Sequence, residues 1–255
     1  MKIALRIAYL GTAYAGFQVQ ENALTVQAVL QEAAERLYGG CSVTGCSRTD
    51  AGVHARDYCC TLQPEQDKVG RIPVTSLPEA MNRFLPDDIA VKSAVFVPDS
   101  FHPRYAVLYK EYEYLIYNAK RRSPFYMGRA LPVPYPIDSE LMDRAAQAFV
   151  GTHDFRACMA AGSKVEDTVR TVRSSHVLRE GELVRFIVSS DGFLYHMVRI
   201  MAGTLLEVSR GKIPEKELPQ RLASCQREQM GATAPACGLY LNRVVYPDEA
   251  FRTEG

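Results

Sequence analysis

A chain of 255 residues, 47% apolar and 23% charged, is too large for one small domain and too apolar for a disordered or fibrous protein. Thirty Lys and Arg against 29 Asp and Glu leave a formal charge of +1, so no strongly basic nucleic-acid binder is visible in the totals. A basic groove can still hide in a neutral average, because local grouping sets the field. Arg6 interrupts the apolar start, and no run approaches the roughly 18 apolar residues of a membrane span, so a cytoplasmic protein without membrane contact is expected. The seven cysteines are odd in number and form no C-x-x-C pair, which suggests neither a disulfide framework nor a metal site.

In chain order, residues 2–9 alternate, with Ile3, Leu5, Ile7 and Tyr9 on one face of a strand. Thr25 reads as the N-cap of a helix that presents Val26, Val29, Leu30, Ala33, Ala34 and Leu37, stopped at Gly39-Gly40. Strands near 41–48 and 56–62 follow, then a helix marked by Leu77, Ala80, Met81, Phe84 and Leu85, and a strand over 89–97. The order is β-α-β-β-α-β.

The second run repeats it: a tyrosine-rich strand over 105–117, with Lys110, Tyr112 and Tyr114 on one face, and a helix capped by Asp138 or Ser139. Strands near 169–178 and 183–189 turn at Glu180-Gly181. A helix over about 194–209 places His196, Ile200 and Gly203 on one face and Met197, Val198, Met201, Ala202 and Leu205 towards the core; a shorter helix near 215–226 and a strand over 239–246 close the run. The expected fold class is therefore α+β: two ferredoxin-like βαββαβ halves, 1–104 and 105–255, whose sheets combine around a central cleft. The basic group Lys120, Arg121, Arg122 and Arg129 reads either as a solvated loop or as a phosphate contact.

The densest polar segment is Cys46-Ser47-Arg48-Thr49-Asp50-Ala51-Gly52-Val53-His54-Ala55, between two strands, where loops carry chemistry. Asp50 and Gly52 alone also suit a plain turn. The segment resembles the signature of the tRNA pseudouridine synthase A family, and other motifs agree in order. They include Gly11-Thr12-Ala13-Tyr14-Ala15-Gly16-Phe17, Phe101-His102-Pro103-Arg104, Lys110-Glu111-Tyr112-Glu113-Tyr114 and Phe193-Leu194-Tyr195-His196-Met197-Val198-Arg199.

The resemblance implies an isomerase that turns uridine into pseudouridine at positions 38, 39 and 40 of the tRNA anticodon stem-loop, acting as a homodimer without cofactor or metal. It implies Asp50 as the catalytic residue, Tyr112 stacking on the target uracil, Arg199 paired with Asp50, and Arg48 displacing the target nucleotide; His54 joins them as a substrate-binding residue that orders the loop or meets a phosphate. The alternatives are a non-catalytic RNA-binding protein and a paralogue acting on another RNA. Phe17 stands where the family often has tryptophan, and Cys46-Ser47 replaces commoner small residues before Arg48.

Overall fold

The alternation of residues 2–9 becomes β1 (Lys2–Tyr9), with Ile3, Leu5, Ile7 and Tyr9 all buried. The computed structural model describes residues 2–65, 68, 71–163 and 165–251; Met1 and 252–255, the outer ends of the two expected halves, lie outside the described residues. Two compact units emerge: one from Met1–Leu108 with Leu241–Gly255, the other Tyr109–Tyr240.

In the first unit β1 is followed by α1 (Val26–Tyr38), β2 (Cys41–Gly45), β3 (His54–Pro64), α2 (Leu77–Asn82) and β4 (Ile89–Val97). The strands lie in the order β4-β1-β3-β2, every pair antiparallel, which is the ferredoxin-like arrangement. Thr25 caps α1, its side chain accepting from the Ala28 N–H at 3.3 Å. The buried face of α1 is rotated from the expected one: Tyr38 is buried, while Val29 and Leu37 are only half-buried. The second helix ends at Asn82 rather than Leu85, because the Asn82 amide turns to β4, donating to Val91 O at 3.0 Å and accepting from Val91 N at 2.7 Å.

The last strand, β10 (Leu239–Val245), runs beside β3. Arg6 donates to Val244 O at 2.8 Å, Leu108 N to Val245 O at 2.8 Å, and Tyr246 Oη to Pro103 O at 2.6 Å. These bonds draw the C-terminal segment into the first unit, so the division falls at Leu108/Tyr109 instead of 104/105 and the second unit stops at Tyr240.

The second unit contains β5 (Tyr109–Tyr117), β6 (Leu131–Pro132), α3 (Ser139–Ala146), β7 (Gly151–Asp154), β8 (Val169–Glu180), β9 (Leu183–Ser190), α4 (Met197–Ser209) and α5 (Leu218–Ala223). Its sheet runs β5-β9-β8-β7 with antiparallel neighbours, and β6 adds in parallel to β5. The expected strand from 105 begins only at Tyr109, because Tyr105 N and Ala106 N both turn back to His102 O. Asp138 caps α3, accepting from Leu141 N at 2.9 Å. The basic residues Lys120, Arg121, Arg122 and Arg129 are exposed between β5 and β6.

Helix α4 starts at Met197, three residues later than expected, because His196 takes a left-handed conformation at φ 61°. It is buried nearly all round, so the two-faced reading is corrected: Ile200 and Gly203 are core as well. A Cβ on Gly203 would fall 1.8 Å from Ala232 O, and Thr204 Oγ1 accepts from Gly231 N at 2.9 Å, so the 231–234 segment packs directly on the face that carries Ile200 and Gly203. Among the described residues no helix is long and apolar enough to cross a membrane.

Cys46, Cys59, Cys60 and Cys158 are buried thiols, while Cys41, Cys225 and Cys237 are half-buried. Burial pushes Cys59 and Cys158 up to about 12, and Cys60 well above the ordinary thiol range. Thiolate is the reactive form. A thiol titration with Ellman's reagent at pH 8 is therefore expected to reach at most Cys41, Cys225 and Cys237 in the native protein, and the other four only after unfolding.

Candidate active site

The chemistry-bearing segment is shorter than its sequence suggests, since His54 and Ala55 already belong to β3; the loop proper is 46–53. The opening motif of the chain holds it. Tyr9 Oη and Thr49 Oγ1 are 2.8 Å apart, Phe17 N donates to Thr49 O at 3.2 Å, and Gly52 N donates to Tyr14 O at 3.2 Å. Val53 N closes a turn onto Asp50 O at 3.1 Å. From the strand side, Tyr58 Oη donates to Ser47 O at 2.6 Å and Cys46 N donates to Cys59 O at 3.0 Å. Phe17 stacks on Tyr58 with ring centroids 4.3 Å apart, and Tyr14 Oη donates to Asp88 at 2.6 Å. Burial and the Asp88 carboxylate both raise the Tyr14 phenol above its ordinary range, so it remains a donor.

This frame leaves Asp50 half-buried at the tip of the turn and Arg48 exposed, with Arg48 Nε donating to Gln18 Oε1 at 2.5 Å. Of the two readings of His54, loop-ordering or phosphate contact, the bonds described are of the first kind: its side chain is fully buried, and Nδ1 accepts from Gly11 N at 3.0 Å. Gly16, Tyr14 and Tyr58 support the loop although no local pattern marks them as doing so. The one available signal was the glycine spacing of the opening motif, since glycines mark close backbone approach.

Tyr112 and Arg199 lie in the second unit. Tyr112 sits on β5 opposite Val188 of β9, 6% exposed, with its ring edge-on to Phe193 at 4.9 Å. Two residues on along the same face, Tyr114 is fully buried and donates to Pro235 O at 2.7 Å. Arg199 is half-buried on α4; its Nε donates to Ala234 O at 2.8 Å, and Ala234 N returns a bond to Arg199 O at 3.0 Å. Its guanidinium is thus oriented by backbone, as a long charged side chain beside a core requires. Its charge partly offsets the burial that raises the Tyr114 phenol. The structure brings Arg48, Asp50 and His54 into one loop and strand start, and Tyr114 and Arg199 onto one Ala234–Pro235 segment. Among the described residues no three His, Cys, Asp or Glu side chains gather as metal ligands would.

The R-T-D-A-G-V-H loop, with its exposed arginine before the aspartate, and the tyrosine strand thus lie in separate α+β units. The chain belongs to the tRNA pseudouridine synthase family, whose model matches residues 6–106 and 145–247. It is 44% identical over 247 residues to a tRNA pseudouridine synthase A of Ruminiclostridium cellulolyticum, covering 96% of this chain and 99% of that protein. Similar relatives of the same name occur in Acetivibrio thermocellus, at 44% identity over 96% and 99% of the two chains, and in Staphylococcus aureus, at 40% over 98% and 93%.

Proposed function

We propose that this chain isomerises uridine to pseudouridine in the anticodon stem-loop of tRNA, at positions 38, 39 and 40, with Asp50 as the catalytic residue. The observation that carries the reading is the pinned loop: a half-buried aspartate at the tip of a turn whose backbone is tied to the opening motif on one side and to β3 on the other. Catalysis by one carboxylate needs that fixity, because a displacement near 1 Å costs about 10²-fold.

The N1–C1′ bond breaks, the uracil turns over, and C5 bonds to C1′; C5 gives up its proton and N1 gains one. No electrons are transferred to or from another molecule, and the reading requires no cofactor. The Asp50 carboxylate serves either as nucleophile at C1′ or as the base that opens a glycal route. Tyr112 is the stacking partner for the displaced base that the family resemblance implies, a contact that tolerates sequence variation around the target. Arg199, whose guanidinium is oriented by Ala234 O, is the candidate cationic partner for the aspartate that the family resemblance implies. Arg48 helps extrude the target nucleotide, whose unstacking costs a few kcal/mol. The same reading includes a cytoplasmic homodimer, supported by the family resemblance.

The test is tritium release from tRNA transcripts labelled at uridine C5, because that position loses its hydrogen only when it becomes the glycosidic carbon. Release that reaches the number of target uridines per tRNA is expected. Bound tRNA without release would favour the non-catalytic RNA-binding reading.

A further inference from the structure

Beside the aspartate loop, entirely within the first unit, lies a cavity of about 380 Å³, within the range of small-ligand sites. Its lining takes Ser47 and Arg48 from the loop, Gln18 from the opening segment, residues 43–45 from β2, and His102, Arg104 and Tyr105 from the turn before β5. The lining contains two arginines and a histidine, and no carboxylate. In a chain whose total charge is +1, this is the local grouping of cations that an RNA-binding protein of near-neutral charge needs.

The turn side is shaped for a base and a phosphate. Tyr105 is 76% exposed, yet its ring is held: it lies 4.4 Å from the His102 ring, and the Arg104 guanidinium sits 5.8 Å from its centroid. The turn is closed by Tyr105 N and Ala106 N on His102 O, and His102 Nδ1 accepts from Arg104 N at 3.1 Å. Burial, then Lys2 and Arg104, lower the His102 pKa, so the imidazole remains neutral and keeps that acceptor role at pH 7. Buried cores do not explain an ordered tyrosine left this open, whereas base stacking uses such a ring. Arg48, in the same lining, is fixed by Gln18, and two residues of chain, about 7 Å at full extension, separate it from Asp50.

We propose that this cavity holds a nucleotide of the RNA substrate one or two positions from the target, with its base on Tyr105 and its phosphate between Arg104 and Arg48. The proposal rests on the isomerase reading only for the word target; the RNA contact stands by itself. It makes Tyr105 and Arg104 binding residues of the first unit, separate from the stacking partner assigned to Tyr112.

The experiment measures filter binding of an unmodified tRNA transcript across a salt series, together with single-turnover tritium release at saturating tRNA. Tyr105→Ala is expected to weaken binding about 5- to 150-fold, the range of one lost stacked base, while Tyr105→Phe binds as the parent. Arg104→Gln is expected to weaken binding and lower the slope of log affinity against log salt by about one. The exposure of Tyr105 leaves the urea midpoint unchanged, which separates lost contact from lost fold. Binding of Tyr105→Ala within twofold of the parent overturns the proposal, as does a Phe variant as weak as Ala, since the ring face would then not be the contact. A parent that forms pseudouridine with an indifferent Tyr105 sinks the cavity alone. A parent that binds RNA through Tyr105 without isomerising it sinks the enzymatic reading alone.

Discussion

Asp50→Asn is expected to abolish tritium release while leaving stability and tRNA affinity close to the parent's. Asparagine keeps the size and planarity of the side chain, and the turn bond from Val53 N is made to the backbone O of residue 50, so it survives the exchange. What is lost is the carboxylate, and with it both the nucleophile and the base. Proton transfer by a positioned group contributes about 10²–10⁴-fold, and removal of a nucleophile costs at least as much. The measured loss should therefore exceed about 10²-fold in single-turnover release, with an unchanged urea midpoint. Asp50→Glu tests reach: the carboxylate remains but is carried one methylene further, and a loss of about 10²-fold is expected from misplacement. An Asn variant retaining more than a tenth of parental release would show that Asp50 is not the reacting group.

Features set by neighbouring residues were legible in the sequence. Alternation placed Ile3, Leu5, Ile7 and Tyr9 in the core, and the caps at Thr25 and Asp138 fall where short polar side chains meet a helical period. Features set by distant chain were not. The four-residue strand β7 exists through its pairing with β8, Gly151 opposite Val172 and Asp154 opposite Val169, and carries no period of its own. Helix α4 read as two-faced because nothing in its own sequence announces that the 231–234 segment covers its second face. The return of the C-terminal strand to β3, which moves the domain boundary, is likewise long-range. The site divides the same way: the R-T-D-A-G run points to Asp50 and Arg48, whereas the burial of His54 on Gly11 N, the bond of Tyr14 to Asp88 and the stacking of Tyr58 on Phe17 are contacts over 41 to 74 residues of chain.

Gly16→Ala is expected to cut single-turnover release by about 10²-fold without touching any group that reacts. Gly16 sits at φ +96°, a conformation in which an L side chain is strained by about 1–3 kcal/mol. Space is the larger obstacle. A Cβ there would lie 2.4 Å from Thr49 O, 3.3 Å from the Asp50 carbonyl carbon and 3.4 Å from Ala51 N. All three are backbone atoms, so no side chain can rotate away and the turn itself must shift. Nor can residue 16 retreat freely. Its carbonyl accepts from Val26 N at 3.2 Å, its neighbour Ala15 donates to Leu24 O at 2.8 Å, and Phe17 N donates to Thr49 O at 3.2 Å. The displacement is therefore passed to the Thr49–Asp50 peptide. A carboxylate moved by about 1 Å loses about 10²-fold, mostly at saturating tRNA, since the binding groups stay where they were. Gly181→Ala supplies the comparison: at φ +61° in the β8–β9 hairpin, with nothing within 4 Å of a Cβ, it carries the conformational strain without the collision. Gly181→Ala should lose about 1–3 kcal/mol in urea titrations, and Gly16→Ala more, because the collision adds to the strain. Only Gly16→Ala should lose activity, and equal activity in the two would mean that the approach of Gly16 to the loop does not hold Asp50 in place.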